Sequence, residues 1–189
     1  MSTQSLQDAF TAARGILENV KPDQMDDDTP CASWKVKDLV NHIVGGAQWF
    51  GTTMDAGVSE GDGSDLPDFS SSDYMSVFDD GVKKSLDAFA KPGAQEKMVK
   101  LPFGEFPGGA FMGLATTDQF AHAWDLAKAT GQDANLNPEL AKQLLDGARA
   151  TIPDAFRGPD GKAPFGPACD APADASPADQ LAAFLGRTV

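Results

Sequence analysis

Two acids and an imidazole stand at helical spacing in one stretch of the chain. In TTDQFAHAWDLAKATGQ, residues 116–132, Asp118 precedes His122 by four positions and Asp125 follows it by three. Residues three and four apart on an α-helix share a face, about 6 Å apart along the axis, so Asp118 and His122 can point at one ion. A carboxylate and an imidazole both suit zinc and its first-row neighbours. A third protein ligand must come from elsewhere, and the only other histidine is His42. The helical wheel puts His42 on the flank of its own segment's apolar stripe, beside Gly46 and Trp49, a position compatible with facing another helix. Three protein ligands would leave coordination positions open for water or a substrate atom. The plainer reading is a hydrogen-bonded acid–histidine pair on a helix surface and a structural histidine beside a core, and spacing alone leaves both readings open.

Other reactive residues carry less. Cys31 lies eleven residues before His42. If helix covered that span, it would stand about 16 Å away, so direct co-ligation is not expected. Cys169 has no chemical partner in sequence. Trp49 is a candidate cleft wall, while Trp34 and Trp124 read as core. No nucleophile elbow, phosphate-binding loop or dinucleotide fingerprint is present. Gly45–Gly46 sits inside a helical pattern, where glycine costs about 1 kcal/mol relative to alanine. The pair therefore points to close helix approach or to access to a site.

The elements that must position these residues are helices. Leu6, Ala9, Phe10, Ala13, Ile16, Leu17 and Val20 give the first apolar stripe, over residues 3–20. Val36, Leu39, Val40, Ile43, Val44, Ala47 and Phe50 give the second, over residues 34–54. A Gly/Ser/Asp-rich loop over 55–72 precedes a third helix carrying Tyr74, Val77, Phe78, Val82, Leu86 and Phe89. KMVKLPFGEFPGGAF predicts a short extended excursion rather than a true sheet. The fourth helix should begin near Gly108–Gly109 and end at Thr130 with Gly131 as a left-handed cap. Asn137–Pro138 opens a helix to about Thr151, and Ser176–Pro177 opens a short last one. The pattern predicts an all-α bundle. Its division is a helical bundle over 1–152, then a Pro/Gly/Ala-rich connection and short C-terminal helix, 153–189, packing on the same domain.

The 189 residues carry a net charge of −13, which argues against nucleic acid and anionic lipid as partners. No apolar run reaches membrane-spanning length, and MSTQSLQDAF lacks the regions of a signal peptide. Two cysteines far apart suit reduced thiols, and a cytoplasmic location is expected.

Three stretches carry a family resemblance: TPCASWKVKDLVNHIVGGAQWF, TTDQFAHAWDLAKATGQ and SPADQLAAFLGR. Together they resemble the short proteins grouped with the metal-binding domain of mycothiol-dependent maleylpyruvate isomerase, within the DinB-like superfamily of four-helix bundles. The resemblance implies a four-helix bundle with short extra C-terminal helices. It also implies a divalent metal, usually zinc, held by a histidine of the second helix and by an acid and a histidine of a later one. In this chain those ligands are His42, Asp118 and His122. Where the isomerase has glutamate, this chain has the shorter Asp118, so Asp125 is expected to assist or to orient an imidazole. The isomerase has a further C-terminal substrate domain and this chain ends soon after the bundle, so isomerase activity is not implied. The expectation is a metal-assisted transferase using mycothiol or a similar thiol on a small electrophile. The alternatives are a metal-assisted hydrolase and a non-catalytic metal-binding or protein-interaction bundle. Bundles of this kind often pair as homodimers, and the sequence leaves the oligomeric state open.

Overall fold

The computed structural model describes residues 2–59, 61, 67–159, 162, 163 and 165–189. Glu60 and residues 62–66 of the expected loop, and three residues of the later connection, lie outside them. Six α-helices are present among the described residues: α1 (Thr3–Leu17), α2 (Val36–Ala56), α3 (Tyr74–Phe89), α4 (Gly108–Ala129), α5 (Pro138–Thr151) and α6 (Pro177–Phe184). The architecture is all-α, as the apolar periodicity predicts.

Caps account for the helix ends. Ser2 Oγ accepts from the Ser5 N–H at the start of α1. That helix stops three residues short of the predicted Val20, because Asn19 and Val20 tighten onto the carbonyls of Ile16 and Leu17. α2 starts two residues later than predicted. Trp34 is held in a turn by its N–H bond to the Cys31 carbonyl, and the Lys35 N–H is taken by the Asp38 carboxylate at 2.8 Å. α4 ends at Ala129, one residue before the predicted Thr130, and its cap is as predicted: Gly131 adopts φ 69°, and Gln132 and Gly131 donate to the Ala127 and Lys128 carbonyls. Those two bonds make a Schellman closure. Asn137 and Ser176 cap α5 and α6 through bonds from Leu140 and Asp179.

Helices α1 to α4 form a closed ring, with α1 against α3 and α4, and α2 against α3 and α4. α2 and α3 come closest. A Cβ on Gly51 would stand 2.8 Å from the Ser85 backbone nitrogen, and one on Gly81 would stand 2.9 Å from that of Gln48. Buried Ser85 donates to the Ala47 carbonyl across the same contact at 2.7 Å.

The segment expected to be a mere extended excursion is a paired hairpin, β1 (Met98–Leu101) and β2 (Gly104–Pro107), antiparallel with Val99 opposite Phe106. Its alternation buries Val99 and Leu101 against the bundle, and that burial rewards pairing.

α4 is the central element. Phe111, Met112, Ala115, Ala123 and Leu126 join the main core, while Phe120, Ala121 and Trp124 join a second core with α5 and α6. A helix buried on two opposite sides has little solvated surface left, and Asp118, His122 and Asp125 lie on the strip between. No helix among the described residues is long and apolar enough to cross a membrane.

Candidate metal centre

The fold brings the three residues singled out by the sequence to one place. From α2, His42 Nε2 lies 3.0 Å from Asp118 Oδ1, and from the same helix as Asp118, His122 Nε2 lies 3.6 Å from that oxygen. The three ligand atoms fall within 4.8 Å of one another. Ligands about 2.0–2.2 Å from a tetrahedral ion stand about 3.3–3.6 Å apart; the separations of 3.0 and 3.6 Å lie close to that range, and two imidazole nitrogens with a carboxylate oxygen are donors of the type zinc takes. The side chains of His42, Asp118 and His122 are 23%, 26% and 14% exposed, which leaves the cluster reachable from solvent. Gly46 lets α4 in: a Cβ there would stand 2.9 Å from Gln119 Nε2 and 3.8 Å from Asp118 Oδ2.

Asp125 is fully buried and accepts four hydrogen bonds. His122 Nδ1 donates to its Oδ2 at 3.0 Å, Cys31 Sγ donates to the same oxygen at 3.2 Å, and Arg187 grips both oxygens at 3.1 and 2.8 Å. Burial alone would raise the Asp125 pKa. The His122 hydrogen bond and the Arg187 charge overcome burial and hold the carboxyl well below the usual carboxylate range. An ionised carboxylate only accepts, so the His122 proton sits on Nδ1 and the Nε2 lone pair faces Asp118 and His42.

Burial, and after it the His42 charge, lowers the His122 pKa and keeps that imidazole neutral. His42 behaves oppositely: burial disfavours its cation, but the Asp118 charge and hydrogen bond outweigh burial and raise its pKa. Asp118 is likewise lowered by His42 against the effect of its own burial.

A second group, Cys31, His122 and Asp125, also lies within ligand distance. It shares His122 but uses the protonated Nδ1. Burial and the Asp125 charge push the Cys31 thiol up to about 12, and Arg187 already occupies Asp125. These partners make that group a hydrogen-bonded cluster rather than a cation site.

Two expectations need correction. Cys31 is not a helix-length away, because α2 begins only at Val36 and the preceding turn folds back; Thr29 Oγ1 holds the Cys31 N–H and the Trp34 carbonyl. Trp34 is not core. It is half-buried, and its ring lies over both imidazoles, centroids 4.8 Å from His42 and 5.2 Å from His122. Trp49, the candidate cleft wall, packs edge-on against Phe50 and Phe111 and donates to Ser59 Oγ. Trp124 is core, with its Nε1 bonded to Asp179.

Sequence reasoning missed Arg187. The signal was a buried acid, Asp125, that requires a cation from somewhere in the fold.

The family described as mycothiol maleylpyruvate isomerase N-terminal domain matches residues 6–127, which contain His42, Asp118 and His122. The chain belongs to this family. Two proteins of Mycobacterium tuberculosis, each called an uncharacterized protein, are similar to it. One is from strain CDC 1551 / Oshkosh and one from strain ATCC 25618 / H37Rv. Each is 43% identical over 189 residues, covering 100% of this chain and 97% of its own length. No solved structure matches the chain. The family match ends before α5 and α6, while the similarity to the mycobacterial proteins runs through both.

Proposed function

We propose that His42 Nε2, Asp118 Oδ1 and His122 Nε2 hold one divalent ion, zinc or a first-row neighbour, and that the protein is a transferase for a mycothiol-type thiol. The observation that carries the reading is the convergence of two imidazole nitrogens and one carboxylate oxygen within 4.8 Å, with the tautomer of His122 already set for coordination. The name of the family supplies the thiol class. A bound zinc ion supplies deprotonation of a coordinated thiol at neutral pH.

The chain's own residues do the rest. Asp118 brings the negative charge that favours a cation, and Asp125 keeps the proton on the far side of His122. Trp34 covers one side of both imidazoles and excludes water there. With an activated alkene as the electrophile, the sulfur–carbon bond forms, the π bond breaks, and the thiol proton ends on the adjacent carbon.

The test is consumption of mycothiol with a small activated alkene by zinc-loaded protein. The expected result is conjugation that disappears in His122→Ala. Hydrolysis of an activated ester without thiol use would favour the hydrolase, and zinc binding without turnover would favour the non-catalytic bundle.

A further inference from the structure

Arg187 reaches the candidate metal centre from outside the stretch that matches the family. It follows α6, where Gly186 takes φ 98° and its N–H and that of Arg187 donate to the Ala183 and Ala182 carbonyls, both at 3.0 Å. This is the same Schellman closure that ends α4, and here it aims the arginine. Gly186 is also pressed onto Gly166, where a Cβ would stand 2.6 Å from the Gly166 Cα, so the turn is braced from behind. The Arg187 side chain is 13% exposed, and its guanidinium donates Nε and Nη2 to the two oxygens of Asp125 and sends Nη1 to the Leu185 carbonyl. A two-point grip fixes the plane of a carboxylate as a single contact does not. The fixed carboxylate in turn holds the His122 Nδ1 proton.

We infer that Arg187 is a positioning residue of the metal centre: gripping Asp125, it fixes the His122 ring and presents Nε2 toward His42 and Asp118. The C-terminal segment is then a working part of the site. This rests on the metal-binding reading above. Partners that orient a ligating histidine are worth about 10–100-fold in metal affinity.

The experiment has two readouts. In zinc-free protein, nitrogen NMR of the imidazoles is expected to show His122 protonated on Nδ1, and Arg187→Gln is expected to lose that single tautomer. In zinc titrations against a chromophoric chelator, Arg187→Gln is expected to bind about 10–100-fold more weakly, with Arg187→Lys in between. In an Asp125→Asn background, adding Arg187→Gln should change affinity less than about twofold, because the arginine acts through that carboxylate.

A role in stability alone would lower the unfolding midpoint and leave both tautomer and affinity of the folded protein unchanged; that result overturns the inference. If Arg187→Gln does not fold, Arg187→Lys decides, and wild-type affinity in that variant overturns it. Wild-type protein that takes up no zinc, while the tautomer still responds to Arg187, refutes the metal reading and leaves the arginine's hold on His122 standing.

Discussion

Asp125 and Cys31 show how one buried charge sets the chemistry around it. The Asp125 carboxyl titrates below its ordinary range in the fold, whereas the unfolded chain takes up that proton near the ordinary aspartate value of about 3.9. The unfolded state therefore binds more protons as pH falls, and the stability from Asp125 is present above pH ~4 and lost below it. Removing one partner of a buried ion pair costs about 3–5 kcal/mol. Asp125→Asn should then be less stable than wild type at pH 7, with the gap narrowing as pH falls below about 4. Urea unfolding of zinc-free protein at a series of pH values measures this; a gap that does not change with pH contradicts it. The two cysteines should also separate. Both are free, but Cys169 is exposed and the Cys31 thiol is half-buried and pushed up to about 12. Alkylation at pH 8 followed by mass spectrometry should label Cys169 first and Cys31 slowly, since the thiolate is the reactive form. Equal rates would show that Asp125 does not hold the Cys31 proton.

Among the elements, α4 carries the site and the contact between α2 and α3 holds its frame. Gly51→Val puts atoms against the backbone of Lys84 and Ser85, which cannot yield as a side chain would. Overpacking of this kind costs about 1–3 kcal/mol. Gly15, in α1, has open space where a Cβ would stand, with nothing within 4 Å, so Gly15→Ala should stabilise by about 0.5–1 kcal/mol. Thermal melts of both variants check the pair, and a neutral Gly51→Val would mean that the helices are not in contact there. Much of this was legible in the sequence. Apolar periodicity marked the first three helices, and glycine, proline and capping residues marked the ends of the other three. The i, i+4 pair of Asp118 and His122 was readable because helical geometry is local. His42 was not: no local pattern links α2 to α4, and family resemblance alone supplied the pairing. Cys31 and Trp34 were misplaced because a turn, not a helix, precedes α2, and a turn can reverse the chain within a few residues. Arg187 stands 62 positions from Asp125, and one long side chain leaves no periodic trace.

At the scale of the molecule, the chain joins an acidic, ion-paired surface to one half-buried cluster that suits a cation. The ion pairs of Lys35 with Asp28 and Lys37 with Asp26 are exposed and contribute little to stability. The net charge of −13 instead favours cations near the surface at low ionic strength. The similarity to the mycobacterial proteins spans the entire chain, α5 and α6 included. All of the proposed chemistry depends on an ion at His42, Asp118 and His122. The most direct measurement is metal content by elemental analysis of protein purified without a histidine tag or chelator, beside His42→Ala prepared in the same way. About one zinc or similar ion per chain in the wild type, lost in the variant, is the expected result. No metal, and no uptake when zinc is added to folded wild-type protein, would contradict the metal centre and the transferase built on it.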